Sequence, residues 1–351
     1  MLDFNAVTYS VGNTHILHGV SFDVEEGGLS CLLGPSGGGK TSILRLIAGL
    51  DSPKTGTISL DGKIVSSTEK LVAPHKRDVG FLFQDFALFP HLTVAQNISY
   101  GLTKLDKYEA NKRTEFLLDQ IRLTVSANRY PHMLSGGEQQ RTALARAIAS
   151  KPRLVLLDEP FSNLDTSLRT QLRDETLELL KDQGVTTVMV THDPDEAMSI
   201  ADKIVLINDG TVVQTGTPAE LYNHPVNKFA ASFFGNINKV DGTIVEEHVE
   251  TDIGTIPVKG YSEGSKVDLF VRPEGIKILS ASEKSNPHTD DAWVCGIRYR
   301  GDSSLVRVGI GNWPQPHTHV EASQPQALPL QTGDKIFLDI DINKTFIFPK
   351  T

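Results

Sequence analysis

The fold is decided by the stretch Gly34-Pro35-Ser36-Gly37-Gly38-Gly39-Lys40-Thr41, which follows the apolar run 29–33. A strand that ends in such a glycine-rich turn and opens into a helix points its free backbone N–H groups at one spot, where the helix dipole also favours negative charge. The pattern predicts a phosphate-binding loop. We expect Lys40 to neutralise the β- and γ-phosphates and the Thr41 hydroxyl to ligate Mg²⁺, with Ser42 as a further nucleotide contact.

A second glycine motif, Leu134-Ser135-Gly136-Gly137-Glu138, opens a segment at 139–150 whose apolar residues have helical spacing. Ser135 stands where a helix N-cap residue would stand, and the two glycines would let a phosphate approach the backbone closely. The motif predicts a second anion site, to which we assign Ser135, Gly136, Gly137 and Glu138.

Two carboxylates, Asp158 and Glu159, end the apolar run 154–157. A buried parallel strand delivers such acids to its carboxyl edge, where ligands bind in open α/β sheets. His192 follows another apolar run, 187–190, and is predicted to stand at a strand end of the same kind. Glu159 is placed to act on a water molecule, although a salt bridge at the strand end is the alternative, and a lone histidine there is often structural.

In this order the motifs resemble those of the ATP-binding-cassette ATPases, over roughly residues 1–235. In that family two subunits pack head to tail and enclose two ATP molecules between the phosphate loop of one and the Leu-Ser-Gly-Gly motif of the other. The resemblance implies an α/β P-loop NTPase domain with a RecA-like core, an antiparallel β subdomain and a helical subdomain at about 88–150. It also implies ATP and Mg²⁺ as cofactors and a homodimer.

The resemblance also implies individual roles. Asp158 matches the aspartate that holds Mg²⁺, Glu159 the general base, and His192 the histidine that senses the γ-phosphate. Gln84 matches a glutamine that touches Mg²⁺ and the attacking water, and Asp165, in the segment 162–165, matches a residue of the D-loop.

One position departs from the family pattern, which places an adenine-stacking aromatic just before a glycine in the first strand turn. Here Val11 precedes Gly12. Tyr9 lies two residues earlier and would face the same side of an extended chain, so either residue is a candidate for the adenine contact.

After Gly235 the sequence changes to short β-like segments at 267–271, 292–299, 305–310 and 335–340, separated by turn residues. Such a pattern predicts a small barrel. Arg272-Pro273-Glu274 resembles the regulatory barrel appended to importer-type cassette ATPases. We therefore expect an ATPase domain at 1–235 and an all-β OB-like (TOBE) domain at 236–351.

A stand-alone cassette with such a barrel resembles the motor of a binding-protein-dependent importer. This implies a location at the cytoplasmic face of the inner membrane, permease subunits that dock on 84–91, and a solute-binding protein, periplasmic or extracellular, that acts through the permease. Exposed Phe86 and Phe89 would form the docking groove, unless they fill the core of the helical subdomain. The segments 80–86, 161–163 and 233–238 look most like those of ferric-iron importers, but polyamine, sulfate, phosphonate and sugar importers share much of the pattern.

Composition restricts the other classes of function. The 351 residues carry a formal net charge of −9, which disfavours broad binding to nucleic acid or to anionic membranes. Cys31 and Cys295 form no disulfide framework or metal spacing, no apolar run is long enough to span a bilayer, and no signal peptide is recognisable. A soluble cassette protein acting as a nucleotide-dependent clamp would carry coiled-coil insertions, zinc ligands, tandem cassettes or basic surfaces, and a nonhydrolytic regulator would not need Glu159 and His192.

Overall fold

The computed structural model describes residues 1–162, 166–279, 291–325 and 329–350, with backbone only at 166–168. The chain divides into two compact units, Met1–Pro218 and Ala219–Thr351. The domain boundary expected at 235 stays a prediction, and the helical segment 219–233 groups with the second unit.

The first unit combines two sheets with helices. Its strands are β1 (Leu2–Val11), β2 (Thr14–Val24), β3 (Leu29–Leu33), β4 (Thr55–Leu60), β5 (Lys63–Ser66), β6 (Val79–Leu82), β7 (Leu154–Asp158), β8 (Thr186–Thr191), β9 (Lys203–Asn208) and β10 (Thr211–Gly216). Its α-helices are α1 (Lys40–Ala48), α2 (Val94–Ser99), α3 (Lys107–Gln120), α4 (Gly136–Ile148), α5 (Thr166–Asp182) and α6 (Pro194–Ile200).

A six-stranded sheet with the order β10-β9-β3-β8-β7-β6 forms the centre of this unit. Its strands are parallel except for β10, which pairs antiparallel with β9. The strands β7 and β8 are buried along their whole length, as expected of parallel strands covered on both faces. Because the carboxyl ends of β3, β6, β7 and β8 meet at one edge, the motifs that follow these strands are brought to the same side.

The second sheet of this unit is antiparallel and four-stranded, in the order β2-β1-β4-β5. Phe4 and Phe22 stack across β1 and β2 with ring centroids 5.0 Å apart. Asp61 and Gly62, both with positive φ, close the tight hairpin between β4 and β5. The antiparallel sheet implied by the family resemblance is present.

The helices α2, α3 and α4 lie between β6 and β7, within the segment predicted to be a helical subdomain. Asp106 caps α3 by accepting a hydrogen bond from the Glu109 N–H. Leu117 and Leu118 of α3 are buried, and Phe116 is exposed. The helix predicted at 139–150 begins earlier, at Gly136, because its cap residue is Ser135.

The second unit begins with two short helices and continues as strands. The helices are α7 (Pro218–Asn223) and α8 (Lys228–Phe233). The strands are β11 (Asn238–Val245), β12 (His248–Thr251), β13 (Gly254–Pro257), β14 (Lys266–Val271), β15 (Ile276–Leu279), β16 (Ala292–Tyr299), β17 (Ser303–Ile310), β18 (Thr318–Pro325), β19 (Lys335–Ile340) and β20 (Thr345–Pro349).

These strands form two five-stranded sheets, β13-β12-β11-β14-β20 and β15-β19-β16-β17-β18. The second sheet curls so that its two edges meet. Gln324 of the edge strand β18 donates to the carbonyl of Ile276 on the opposite edge strand β15, over 2.7 Å. Residues of both sheets share one apolar core, including Val271, Ile276 and Val306. The predicted all-β C-terminal region with a barrel-like sheet is confirmed. Among the described residues, no helix has the length and apolar character to cross a membrane.

Candidate functional site

The phosphate loop is shaped by glycine at the carboxyl end of β3. Gly34 has φ 155°, and a Cβ at this position would overlap the carbonyl oxygen of Ile207 on β9. Gly39, at the N-cap of α1, has φ 89°, and a Cβ there would lie 2.6 Å from the Leu17 side chain. The loop therefore packs so closely against β2 and β9 that larger residues do not fit.

Lys40 is the first residue of α1 and is 5% exposed. Its Nζ donates to the carbonyl oxygens of Gly34, over 2.8 Å, and Pro35, over 2.7 Å. Burial lowers the pKa of Lys40, and the charges of Glu159 and Asp158 partly oppose this shift. The predicted phosphate-neutralising cation is thus folded into the loop, while Ser36 and Gly37 at the tip are exposed.

Thr41 and Asp158 meet across the ends of β3 and β7. The Thr41 hydroxyl donates to Asp158 Oδ1 over 3.0 Å. Burial raises the pKa of Asp158; the Thr41 hydrogen bond lowers it, and the nearby Glu159 charge raises it further. A hydroxyl and a buried carboxylate beside a phosphate loop provide the oxygen ligands that Mg²⁺ prefers, so these two residues fit the metal role predicted for them.

Glu159, His192 and Gln84 come together from the ends of β7, β8 and β6. Glu159 Oε1 lies 3.2 Å from His192 Nδ1, and Glu159 Oε2 accepts from Gln84 Nε2 over 3.3 Å. The Glu159 backbone has φ 43°, in the left-handed region, and its N–H donates to the Val190 carbonyl over 3.1 Å. A non-glycine residue held in this conformation is costly and is typical of functional positions.

A small pocket of about 60 Å³ lies beside these residues and is lined by both Glu159 and His192. It also contains Glu196, a residue that the sequence reasoning missed. Burial raises the pKa of Glu196, and a hydrogen bond with Thr191 opposes the shift. Its signal in the sequence was the acidic start of α6, where the Asp193 cap accepts from the N–H groups of Asp195 and Glu196.

The second glycine motif forms the start of α4. Ser135 is the N-cap residue, and its hydroxyl accepts from the Glu138 N–H over 3.4 Å. Glu138 Oε2 accepts in return from the Ser135 N–H, over 2.8 Å, and from the Ser135 hydroxyl, over 2.9 Å. This is a capping box. Gly136 and Gly137 form its first turn, and in the described part of the chain no hydrogen bond joins it to the phosphate loop.

The adenine candidates Tyr9 and Val11 differ in exposure. Tyr9 packs partly against the core of the first unit, and burial followed by the charge of Asp51 raises its pKa. Val11 is 58% exposed. A β-bulge between Tyr9 and Ser10 interrupts the alternation on which their common orientation was based. Both residues stay predictions.

The D-loop lies mostly outside the described residues, which include neither Asn163, Leu164 nor Asp165. Ser162 is described, and its hydroxyl donates to the Glu159 carbonyl over 3.0 Å. The role assigned to Asp165 stays a prediction.

The expectation of an exposed Phe86 is wrong, because the ring is 7% exposed. Phe86 has φ 62°, a left-handed conformation that breaks the extended course of the chain. Arg146 of α4 holds this turn by donating to the carbonyls of Phe86, over 2.8 Å, and Ala87, over 2.7 Å. Phe89 is half-buried between Tyr100, with centroids 4.4 Å apart, and the Arg146 guanidinium.

Comparison with known sequences matches residues 17–162 to the family described as ABC transporter. The Fe(3+) ions import ATP-binding protein FbpC of Pseudomonas fluorescens is 42% identical over 310 residues, which cover 88% of this chain and 87% of that protein. The sulfate/thiosulfate import ATP-binding protein CysA 2 of Chromobacterium violaceum is 51% identical over 279 residues, 78% and 75% of the two chains. The spermidine/putrescine import ATP-binding protein PotA of the same organism is 39% identical over 345 residues, 94% and 92% of the two chains.

Solved structures of ATP-binding cassettes are similar to this chain as well. The dimeric, post-hydrolysis ATP-binding cassette MJ0796 bound to ADP and Pi is 31% identical, with a TM-score of 0.55, and covers 62% of this chain and 99% of its own. The structure of cbiO1 from Clostridium perfringens, part of the ABC transporter complex cbiONQ, is 28% identical, with a TM-score of 0.58, over 63% of this chain and 89% of its own.

Proposed function

Since this chain belongs to the ATP-binding subunits of ABC importers, we propose that it hydrolyses Mg²⁺-ATP in a head-to-tail homodimer and thereby drives uptake of ferric iron. The observation that carries the hydrolytic part is the Glu159 carboxylate held between His192 and Gln84. It stands directly after Asp158, whose own carboxylate is joined to Thr41 of the phosphate-loop helix.

Each of these residues has a separate task in the proposed reaction. Glu159 takes the proton of the attacking water, while His192 and Gln84 hold its two oxygens in place. Thr41 and Asp158 would hold Mg²⁺, which would supply positive charge beside the phosphate oxygens. Lys40 exchanges the neutral carbonyls of Gly34 and Pro35 for charged phosphate oxygens, which are stronger acceptors.

The test of the hydrolytic role is Glu159→Gln, which keeps the size of the side chain and removes the basic oxygen. We expect ATP turnover to fall by about 10²- to 10⁴-fold, the usual contribution of a positioned base. ATP binding should persist, and unhydrolysed ATP should hold two chains together as a dimer detectable by light scattering.

The matched control is Glu178→Gln, the same substitution at an exposed position of α5. It should turn over ATP like the unmodified chain. A Glu159→Gln protein that hydrolyses ATP at a near-normal rate and stays monomeric in saturating ATP would contradict both the base assignment and the proposed closure.

The solute is proposed to be ferric iron, on the similarity of the segments around Gln84, Phe161 and Phe234 to iron importers and on the relative that is named for Fe(3+) import. Sulfate or thiosulfate is the second candidate, because a relative named for that solute is 51% identical. Polyamine import is also represented among the relatives. Cells lacking this protein should lose uptake of labelled iron and keep uptake of labelled sulfate and putrescine; loss of one of the others instead would reassign the solute.

We further propose that permease subunits dock near 84–91 and hold the chain at the cytoplasmic face of the inner membrane. The support is the name of the relatives as import ATP-binding proteins, together with the half-buried ring of Phe89 beside the exposed Tyr100. Affinity purification from native membranes should recover the permease, and a Tyr100→Asp protein should recover less of it.

A further inference from the structure

The start of α4 already holds a negative charge supplied by the chain itself. A single oxygen, Glu138 Oε2, accepts both hydrogens that Ser135 can donate, from its N–H and from its hydroxyl. The carboxylate also lies in the first turn of a 13-residue helix, where the backbone field favours an anion.

These donors are the ones that the proposed function offers to the nucleotide held by the other copy of the chain. A hydrogen atom cannot serve a carboxylate and a phosphate oxygen with full strength at once, and the two anions repel each other. A phosphate that binds at Ser135 must therefore displace the Glu138 carboxylate.

Resting on that proposed function, we propose that Glu138 is a charged gate at Ser135. It occupies the two Ser135 donors in the separated subunit, rotates away when ATP of the other copy binds, and returns once hydrolysis has removed the γ-phosphate. The gate opposes premature closure of the dimer and promotes its reopening after each turnover.

The surroundings of Glu138 suit this role. The Ser135 hydrogen bonds, together with the charges of Arg129 and Arg141, outweigh partial burial and bring the pKa of Glu138 below its usual range, so that the carboxylate is ionised at neutral pH. Glu138 is half-buried and Ser135 exposed, which leaves the carboxylate room to rotate. The backbone around it is held independently, since Gln139 donates to the carbonyls of Pro131 and Leu134.

The test is Glu138→Gln in the Glu159→Gln background, where ATP is not consumed. The amide keeps an acceptor for the Ser135 N–H and removes the charge. Because two gates face two nucleotides, we expect the dissociation constant of the ATP-bound dimer to fall about tenfold, from a factor of about three per site. The difference should shrink as KCl rises, because salt screens charge repulsion but not a packing change.

Glu109→Gln in the same background is the control, because Glu109 is an exposed acid in the first turn of α3. It should leave the dimer constant unchanged. Equal or weaker dimerisation of the Glu138→Gln protein, with an unchanged melting temperature, would overturn the gate while leaving ATP-driven dimerisation intact. Failure of the Glu159→Gln parent to dimerise with ATP would instead remove the proposed closure, and the gate with it. If the Gln variant melts early, Glu138→Ala must also tighten the dimer at low salt, and a weaker dimer there would overturn the gate.

Discussion

The two compact units bury carboxylates of opposite character, as Asp158 and Asp268 show. Asp158 is 4% exposed, its hydrogen-bond partner is the neutral Thr41 hydroxyl, and Glu159 follows it directly. Asp268 is 2% exposed and lies 2.7 Å from Lys228 Nζ and 3.3 Å from Lys239 Nζ. Burial tends to raise the pKa of Asp268, but the two lysines outweigh it and bring the pKa below its usual range. A buried acid whose pKa is raised is available to a ligand, whereas an acid held by two lysines is structural.

The buried cations Lys40 and Arg272 differ in the same way, since one is available to a ligand and the other is structural. Among the described residues, the hydrogen-bond partners of Lys40 are the loop carbonyls of Gly34 and Pro35, which are acceptors that a phosphate can replace. Arg272 is fully buried in the second unit, donates to the carbonyls of Phe234 and Tyr222, and lies 4.0 Å from the centre of the Tyr222 ring. Arg272 therefore holds the helical segment 219–234 against the β-strands that follow it.

Arg272→Ala should have the largest effect on stability, because it opens a cavity beside Tyr222 and removes the hydrogen bonds that Arg272 donates to the carbonyls of Phe234 and Tyr222. We expect the second unit to lose about 3–5 kcal/mol of unfolding free energy, as for a large buried side chain that is cut back to alanine. Both tryptophans of the chain, Trp293 and Trp313, lie in this unit, so denaturant unfolding followed by tryptophan fluorescence reports on it selectively. Arg298→Ala, at an exposed position of β16, is the control. An unchanged transition in Arg272→Ala would contradict the structural role.

Lys40→Ala should act on ligand binding instead. Removing the cation eliminates charge-assisted hydrogen bonds to phosphate, worth roughly 10- to 100-fold in ATP affinity. Titration with a fluorescent ATP analogue measures this loss, while the tryptophan transition should not move. Unchanged nucleotide affinity would remove Lys40 from the site.

Removal of the C-terminal strands should separate ATP hydrolysis from dimerisation. A chain that ends near Gly235 retains every residue that we assign to ATP hydrolysis, so it should keep basal ATPase activity per folded dimer and dimerise more weakly. Since Arg272 contacts Tyr222 and Phe234, the segment 219–234 loses its packing partner in this chain, and a second chain ending at Pro218 tests whether that segment matters. Complete loss of ATPase in a folded, dimeric truncation would mean that the strands contribute to catalysis.

Asp268→Asn should have the smallest effect of these changes, and its effect on the unfolding free energy of the second unit should depend on pH. Because the folded pKa of Asp268 lies below its unfolded value, this residue stabilises the fold above about pH 4 and loses that contribution as pH falls through the folded pKa. The difference in unfolding free energy between Asp268→Asn and the unmodified chain, measured by tryptophan fluorescence, should therefore decrease as the pH is lowered. A difference in unfolding free energy that stays constant down to pH 2 would exclude the ion pairs of Asp268 as its cause.

The fold and the site were predictable wherever a residue type follows directly from backbone geometry. Gly34 and Gly39 are required by close packing, and the apolar runs before Asp158 and His192 are buried parallel strands. The choice between exposure and burial of Phe86 could not be made from the sequence, because the left-handed backbone of Phe86 and Ala87 has no signal in the residue pattern. The hydrogen bond that Glu138 accepts from the Ser135 N–H could be expected from the capping-box spacing, yet we expected Glu138 only as a nucleotide contact. Short polar strands such as β12 and β13 carry too few apolar residues to stand out from turns.

The hydrogen bonds from Arg146 to the carbonyls of Phe86 and Ala87 connect the last turn of α4 to the segment that follows Gln84. Arg146 stands in the last turn of the helix and Ser135 at its start, while Gln84 lies two residues before Phe86. The part of the helix between Ser135 and Arg146 is about 16 Å long, so a tilt of about 5° at the Arg146 end would displace Ser135 by about 1.4 Å. A small tilt of α4 at its contact with the turn that follows Gln84 would therefore be enough to make or lose a phosphate contact at Ser135.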